Sequence, residues 1–185
     1  MNTVNITFPT SLGDVKIYMD PRKKAIADKL LREFPHIMRN AYEKSAMAFG
    51  NRLAREAKTC LSRGMPPRGS GVSWPPHAES TVKRLGEHTL LYWSSQYYHA
   101  IKVRRRGKYI FVGVPSGLKK TRKDNYKSSN PLTLTKVANI LEFGSGDGKI
   151  PPRPLWGPLW SSVGGKNNFK KVLVKELRKE LRKYR

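Results

Sequence analysis

The sequence predicts an α+β fold: a single domain in which an antiparallel sheet made of hairpins packs against a long, kinked N-terminal helix and a C-terminal helix. Three observations carry that expectation. Apolar residues alternate through Val4 to Phe8 and again through Val15 to Met19, the period of half-buried strands. A second pair of aromatic and β-branched stretches, Tyr97 to Val103 and Tyr109 to Val114, flanks Arg104-Arg105-Arg106-Gly107-Lys108, as a hairpin with a basic tip would. Between the two pairs, Met38, Tyr42, Ala46, Phe49, Leu53, Ala57 and Cys60 recur at helical spacing.

Each element has a local cause. Gly13-Asp14 supplies turn residues between the first two strands. Asp20-Pro21 then provides an N-cap followed by proline at the first helical position, where its missing N–H leaves nothing unsatisfied. That helix is expected to reach about Phe34, where Pro35 breaks or kinks it. A longer segment follows from His36 to Leu61, ended by Gly64 and then Pro66 and Pro67. Met65 to Pro76, rich in Gly, Pro and Ser, reads as a loop. Ser80 to Leu91 reads either as a short helix or as a loop leading to a strand. Residues 115–131 place Lys119, Lys120, Arg122, Lys123 and Lys127 among Ser, Asn and Gly, and are expected to be a mobile basic loop. Thr135 to Phe143 is expected to begin helical and finish as a strand. Leu155 to Ser162 can make one or two helical turns. After Gly164-Gly165, a basic C-terminal helix occupies 166–185, capped by Asn167 or Asn168. Its apolar side carries Phe169, Val172, Leu173, Leu177, Leu181 and Tyr184, and nine basic residues face only Glu176 and Glu180.

A chain of 185 residues fits one domain, and at this size folding buries roughly 70% of the surface that the unfolded chain exposes. The formal net charge of +24 and pI near 10.5 ask for an acidic partner, through self-repulsion alone. Nucleic acid is the first candidate and an acidic protein surface the second. A membrane is not expected, because no long apolar segment or lipidation signal is present. The N-terminus does not read as a secretory signal. Cys60 is the only cysteine, which excludes an intrachain disulfide and fits a reducing cytosol.

The chemistry of catalysis is poorly represented. His36, His77, His88 and His99 lie in different segments without the close spacing of metal ligands. Cys60 falls on the apolar stripe of a helix, where packing is the expected role. The acidic residues offer no close pair on a strand end. Gly144, Gly146 and Gly148 do not have dinucleotide-binding spacing, and prolines follow where a helix should start. The expectation is therefore a protein with no catalytic, cofactor or metal site, and no small-molecule partner.

The most shaped stretch is Ala138 to Trp160. Glu142-Phe143-Gly144 runs into Pro151-Pro152-Arg153-Pro154, then Leu155, Trp156 and Trp160. Glycines permit unusual backbone angles, and prolines fix their own and push their predecessors towards extended backbone, so the run is a stiff arm. Arg153 within it can offer its planar fork to a carboxylate or to a row of carbonyls. Upstream, Trp74-Pro75-Pro76 precedes Thr81, Lys83, Thr89-Leu90-Leu91 and Ser94-Ser95.

Together these two blocks resemble the tail-completion and head-tail joining (neck) proteins of long-tailed double-stranded DNA bacteriophages, a group including virion morphogenesis and minor tail protein Z-like proteins. In that family a Trp-x-Pro with a following Thr and Lys precedes a Leu-x-x-Thr-Gly-x-Leu segment, and here the Thr-Gly is replaced around Tyr92 and Trp93. The resemblance implies a structural virion protein that completes the tail or joins it to the head. It further implies assembly in the host cytoplasm as a ring, with a hexamer the first expectation. Head-side connector proteins, tail-terminator or tail-tube proteins, and passing genomic DNA would be its partners. Glu142, Phe143, Arg153, Pro154, Leu155, Trp156 and Trp160 would form the subunit or neck interface, with Arg153 pairing with Glu142 as a brace or with the next subunit. Arg104, Arg105, Arg106, Lys108, Lys119, Lys120, Arg122 and Lys123 are the candidate contacts to phosphates or an acidic partner. The alternative is a nucleic-acid-binding module that grips phosphates through 104–127 while Tyr109 and Tyr126 stack on bases.

Overall fold

A computed structural model describes residues 4–10, 13–79, 82–83, 96–107, 109–116 and 133–184. For the first hairpin it describes the backbone. The expectations for Ser80 to Leu91 as a whole, for Lys108 and for the basic loop with Lys119, Lys120, Arg122, Lys123, Tyr126 and Lys127 fall outside those residues. The fold is mixed, as expected: β1 (Val4–Thr10), β2 (Gly13–Met19), α1 (Pro21–Arg63), α2 (Gln96–Ala100), β3 (Lys102–Arg106), β4 (Tyr109–Gly113), α3 (Leu134–Phe143), α4 (Trp156–Ser162) and α5 (Gly165–Leu181), closed by a 3-10 turn, Arg182–Tyr184. The strands form two separate antiparallel ribbons, β1 with β2 and β3 with β4.

The chain divides into two compact units. The first comprises Met1–Lys44 and Leu173–Arg185. Its hairpin pairs Val4 with Met19 and Thr10 with Gly13. Asp20 caps α1 as its sequence position implies: its carboxylate accepts from Arg22 N at 2.7 Å, and its carbonyl from Lys24 N at 2.9 Å. On α5, Glu180 accepts from Lys44 Nζ and Lys183 Nζ, each at 2.5 Å. The Tyr184 hydroxyl donates to Glu33.

The second unit, Ser45–Val172, holds the apolar core. Phe49, Leu53, Ala57 and Leu61 of α1 pack with Trp74, Tyr97, Ile101, Val114, Leu134, Leu155, Leu159 and Val163. Phe49 meets the rings of Trp160 and Phe169 edge-on, at 5.4 and 5.9 Å between centroids. At Gly50 a Cβ would lie 3.1–3.2 Å from methyls of Val103, Ile110 and Val112, so the missing side chain lets the β3–β4 ribbon close on the helix.

Several expectations need correction. Gly13 and Asp14, expected in the first turn, belong to β2 and pair with Thr10 and Pro9. Pro35 lies inside α1 and does not break it; a proline removes one backbone donor, and the neighbouring turns carry the helix on. The buried row of α1 is Ile37, Ala41, Ser45, Phe49, Leu53, Ala57 and Leu61, an unbroken i, i+4 ridge. The larger Met38 and Tyr42 lie beside it, with Tyr42 exposed. Tyr97 to Ala100 is helical, so β3 begins only at Lys102 and its arginines belong to the strand, leaving Gly107 (φ 57°) in the turn. Finally, Glu142-Phe143 ends a helix and not a strand, and Asn167 and Asn168 both lie within α5, which begins at Gly165. Thr133 caps α3 by accepting from Lys136 N at 3.2 Å. Leu134, Ala138 and Leu141 turn to the core at helical spacing, while Gly144 (φ 85°) stops the helix in a conformation suited to glycine.

Candidate functional site

The arm is folded onto the end of α3 through backbone bonds. Beyond Gly144, Ser145 N donates to Ile150 O at 2.9 Å and Ile150 N to Ser145 Oγ at 2.8 Å, closing a tight loop. The Ser145 hydroxyl and Lys149 N both donate to Asp147, which holds its carboxyl below the ordinary range. A Cβ on Gly144 would meet Ile150 O at 3.0 Å, so a side chain there would open the loop. Arg153 N then donates to Leu141 O at 2.6 Å, capturing one of the carbonyls that a helix C-terminus leaves over.

The two charged side chains act on different backbones. Glu142 reaches forward to the start of α4, where its carboxylate accepts from Leu155 N at 2.8 Å and Trp156 N at 3.2 Å. Leu155 has no side-chain cap of its own to give, so Glu142 caps α4 from another element. Arg153 is 6% exposed and points the other way: Nε donates to Pro75 O at 3.0 Å and Nη2 to Pro76 O at 2.8 Å. Trp74 Nε1 ties the same two segments from the other side by donating to Pro154 O at 2.9 Å. Burial lowers the Arg153 pKa, yet a guanidinium remains charged throughout the working pH range. Beneath the arm lies Tyr97, whose hydroxyl is pushed up to about 12, chiefly by burial, with the Glu142 charge adding to the rise.

Trp74-Pro75-Pro76 of the upstream block and Arg153-Pro154 of the arm therefore form one structure, a clasp. The expected Arg153–Glu142 brace is corrected: the two side chains do not pair, Arg153 donating to the Pro75 and Pro76 carbonyls and Glu142 accepting from Leu155 N and Trp156 N. Among the seven residues expected at an interface, Arg153 and Leu155 are buried within the chain, and Glu142, Pro154 and Trp156 are half-buried. Phe143 is 78% exposed and Trp160 42%. Arg104, Arg105 and Arg106 are exposed on β3, away from this sequence block. Sequence reasoning misses Pro75, Pro76 and Tyr97 as site residues. The signal for the first two lies in their chemistry, since prolines carry carbonyls but no donors, which leaves a row of acceptors that a guanidinium fork can take.

Comparison of the chain with protein-family models, with curated proteins and with solved structures found no match. Among the described residues, no helix is long and apolar enough to cross a membrane.

Proposed function

We propose that this chain is a structural virion protein of a long-tailed phage, which completes the tail or joins it to the head as a ring in the neck. The observation that carries the reading is the clasp. Its charged groups are satisfied inside the chain, yet the segment it fixes presents Phe143 at 78% exposure. A large aromatic held outward by a stiff support loses little freedom when a neighbour covers it. Arg153, Glu142 and Trp74 are in this reading the mount, while Phe143 and the exposed edge of Trp160 are the contact. The resemblance of the same residues to neck proteins supports the assignment, and the high positive charge suits acidic surfaces of connector or tail-terminator partners.

The test is native mass measurement of the purified chain, alone and with connector and tail-terminator proteins. A ring, either free or formed on mixing, is expected at low and moderate salt alike. Phe143→Ser should leave the melting temperature within about a degree of wild type, because an exposed side chain contributes little to stability. It should prevent ring formation. A chain that stays monomeric with every partner, or a Phe143→Ser variant that assembles normally, would overturn the proposal.

A further inference from the structure

Residues 102–113 contain five cations and no carboxylate, and the pleat of the β3–β4 ribbon sorts them by face. Val103, Ile110 and Val112 lie against Gly50 of α1, so these residues form the inner face, with Arg105 at the same pleat position. The register pairs Lys102 with Gly113, Arg104 with Phe111 and Arg106 with Tyr109. Alternation places all six on the opposite, outer face. Lys102, Arg104 and Arg106 are exposed, and Tyr109 is 66% exposed. Phe111 reaches along its own strand: a Cβ on Gly113 (φ 148°) would stand 3.3 Å from the tip of its ring. The Arg106 guanidinium sits 5.2 Å from the Phe111 centroid, a cation–π contact that keeps the arginine along the ribbon.

The result is a cationic strip with an aromatic face in its midst. We propose that this outer face binds single-stranded nucleic acid, with Lys102, Arg104 and Arg106 on phosphates and an unpaired base stacked on Tyr109. Charge complementarity selects a polyanion, and the exposed ring selects among polyanions. A duplex keeps its base faces stacked internally, whereas a single strand carries phosphates and unstacked π-faces at a regular spacing along one chain. This inference is independent of the clasp and does not require the ring.

The experiment is a fluorescence anisotropy titration of the full chain with labelled oligothymidylate and with a duplex of equal length, at about 50 and about 200 mM salt. Tyr109→Ala should weaken oligothymidylate binding by about 5- to 100-fold and leave duplex binding unchanged, and Tyr109→Phe should retain it. R104A/R106A should reduce the single-strand salt slope by about 1.4, roughly 0.7 for each phosphate that is no longer neutralised. A control pair on α5, K170A/K171A, should change the slope less. Circular dichroism melts establish that each variant is folded, and Tyr109→Leu replaces the alanine variant should that one unfold. Wild-type affinity for oligothymidylate without the aromatic ring would overturn the proposal. Equal effects of the ribbon and control pairs would do the same, since they would assign the binding to net charge. Tighter binding of poly-glutamate than of oligothymidylate would reassign the face to an acidic protein.

Discussion

Arg153 is a charged residue placed where a core residue would be expected, and its environment explains how it is tolerated. The two carbonyls it serves belong to consecutive prolines, whose lack of N–H groups keeps the segment out of regular helix or sheet and leaves these acceptors for the guanidinium. Arg153→Ala should lower stability by about 2–4 kcal/mol, because two charge-assisted bonds vanish and two shielded carbonyls are left unsatisfied. Arg153→Lys keeps the charge but replaces the fork with a point donor, and should recover only part of the loss. Chemical denaturation of both variants checks this; a loss below about 1 kcal/mol for the alanine variant would show that solvent takes over the carbonyls. The guanidinium contact is only half legible in the sequence. The fork and its stiff mount are visible in the Pro-x-Arg-Pro run, but every residue owns a carbonyl, so pattern alone does not say which will receive it.

Among the elements, α1 bears the core, and its buried ridge shows why helix faces are misread. Ala41 and Ser45 are fully buried but carry little hydrophobic signal, whereas the neighbouring Tyr42 carries much and is exposed. Phe49 is legible from the sequence because it is both large and on the ridge. Phe49→Ala should cost about 3–5 kcal/mol, measured by denaturant melts, since it removes the ring that Trp160 and Phe169 both contact. The hairpin β1–β2 is legible from its apolar alternation, although Gly13 and Asp14, expected in the turn, belong to β2; the Asp20-Pro21 start of α1 is legible because cap chemistry is local. The end of α3 is not, since a stretch as short as Ile140 to Phe143, three apolar residues around Glu142, has no period of its own. On α5, Lys183 first and Lys44 second hold the Glu180 carboxyl below its ordinary value. A depressed carboxyl stabilises the fold fully above the ordinary glutamate value of 4.5, and that contribution is lost as pH falls through the lower folded value. The melting temperature should therefore drop on acidification into that window, and Glu180→Gln should flatten this limb of the profile while lowering stability at neutral pH. Parallel acid limbs in the two proteins would show that other carboxylates govern it.

At the scale of the whole molecule the governing quantity is the formal net charge of +24. Few carboxylates are available to offset it, and among the described elements the cations are spread over α1, the β3–β4 ribbon and α5. Raising salt from about 0.01 M to about 0.15 M shortens the Debye length from roughly 30 to roughly 8 Å, which weakens repulsion between separate basic faces more than it weakens close ion pairs. The melting temperature should rise over that range, by calorimetry. A fall would mean that the ion pairs around Glu180 outweigh the repulsion. Composition alone makes this charge plain; where it concentrates depends on strand register, because the outer face of the ribbon exists only once Arg104 pairs with Phe111 rather than with Ile110.

Cys60 sits in the core at 8% exposure, and burial raises its pKa, with the Glu56 charge adding to the shift. It is the chain's sole thiol, so the molecule carries its own stopwatch. An aromatic disulfide reagent in excess can modify only chains in which α1 has momentarily parted from its neighbours and the sulfur has ionised. Under native conditions the modification rate therefore counts openings of the core without any engineered label. Covering the clasp or the ribbon with a partner should slow that count wherever binding tightens the second unit.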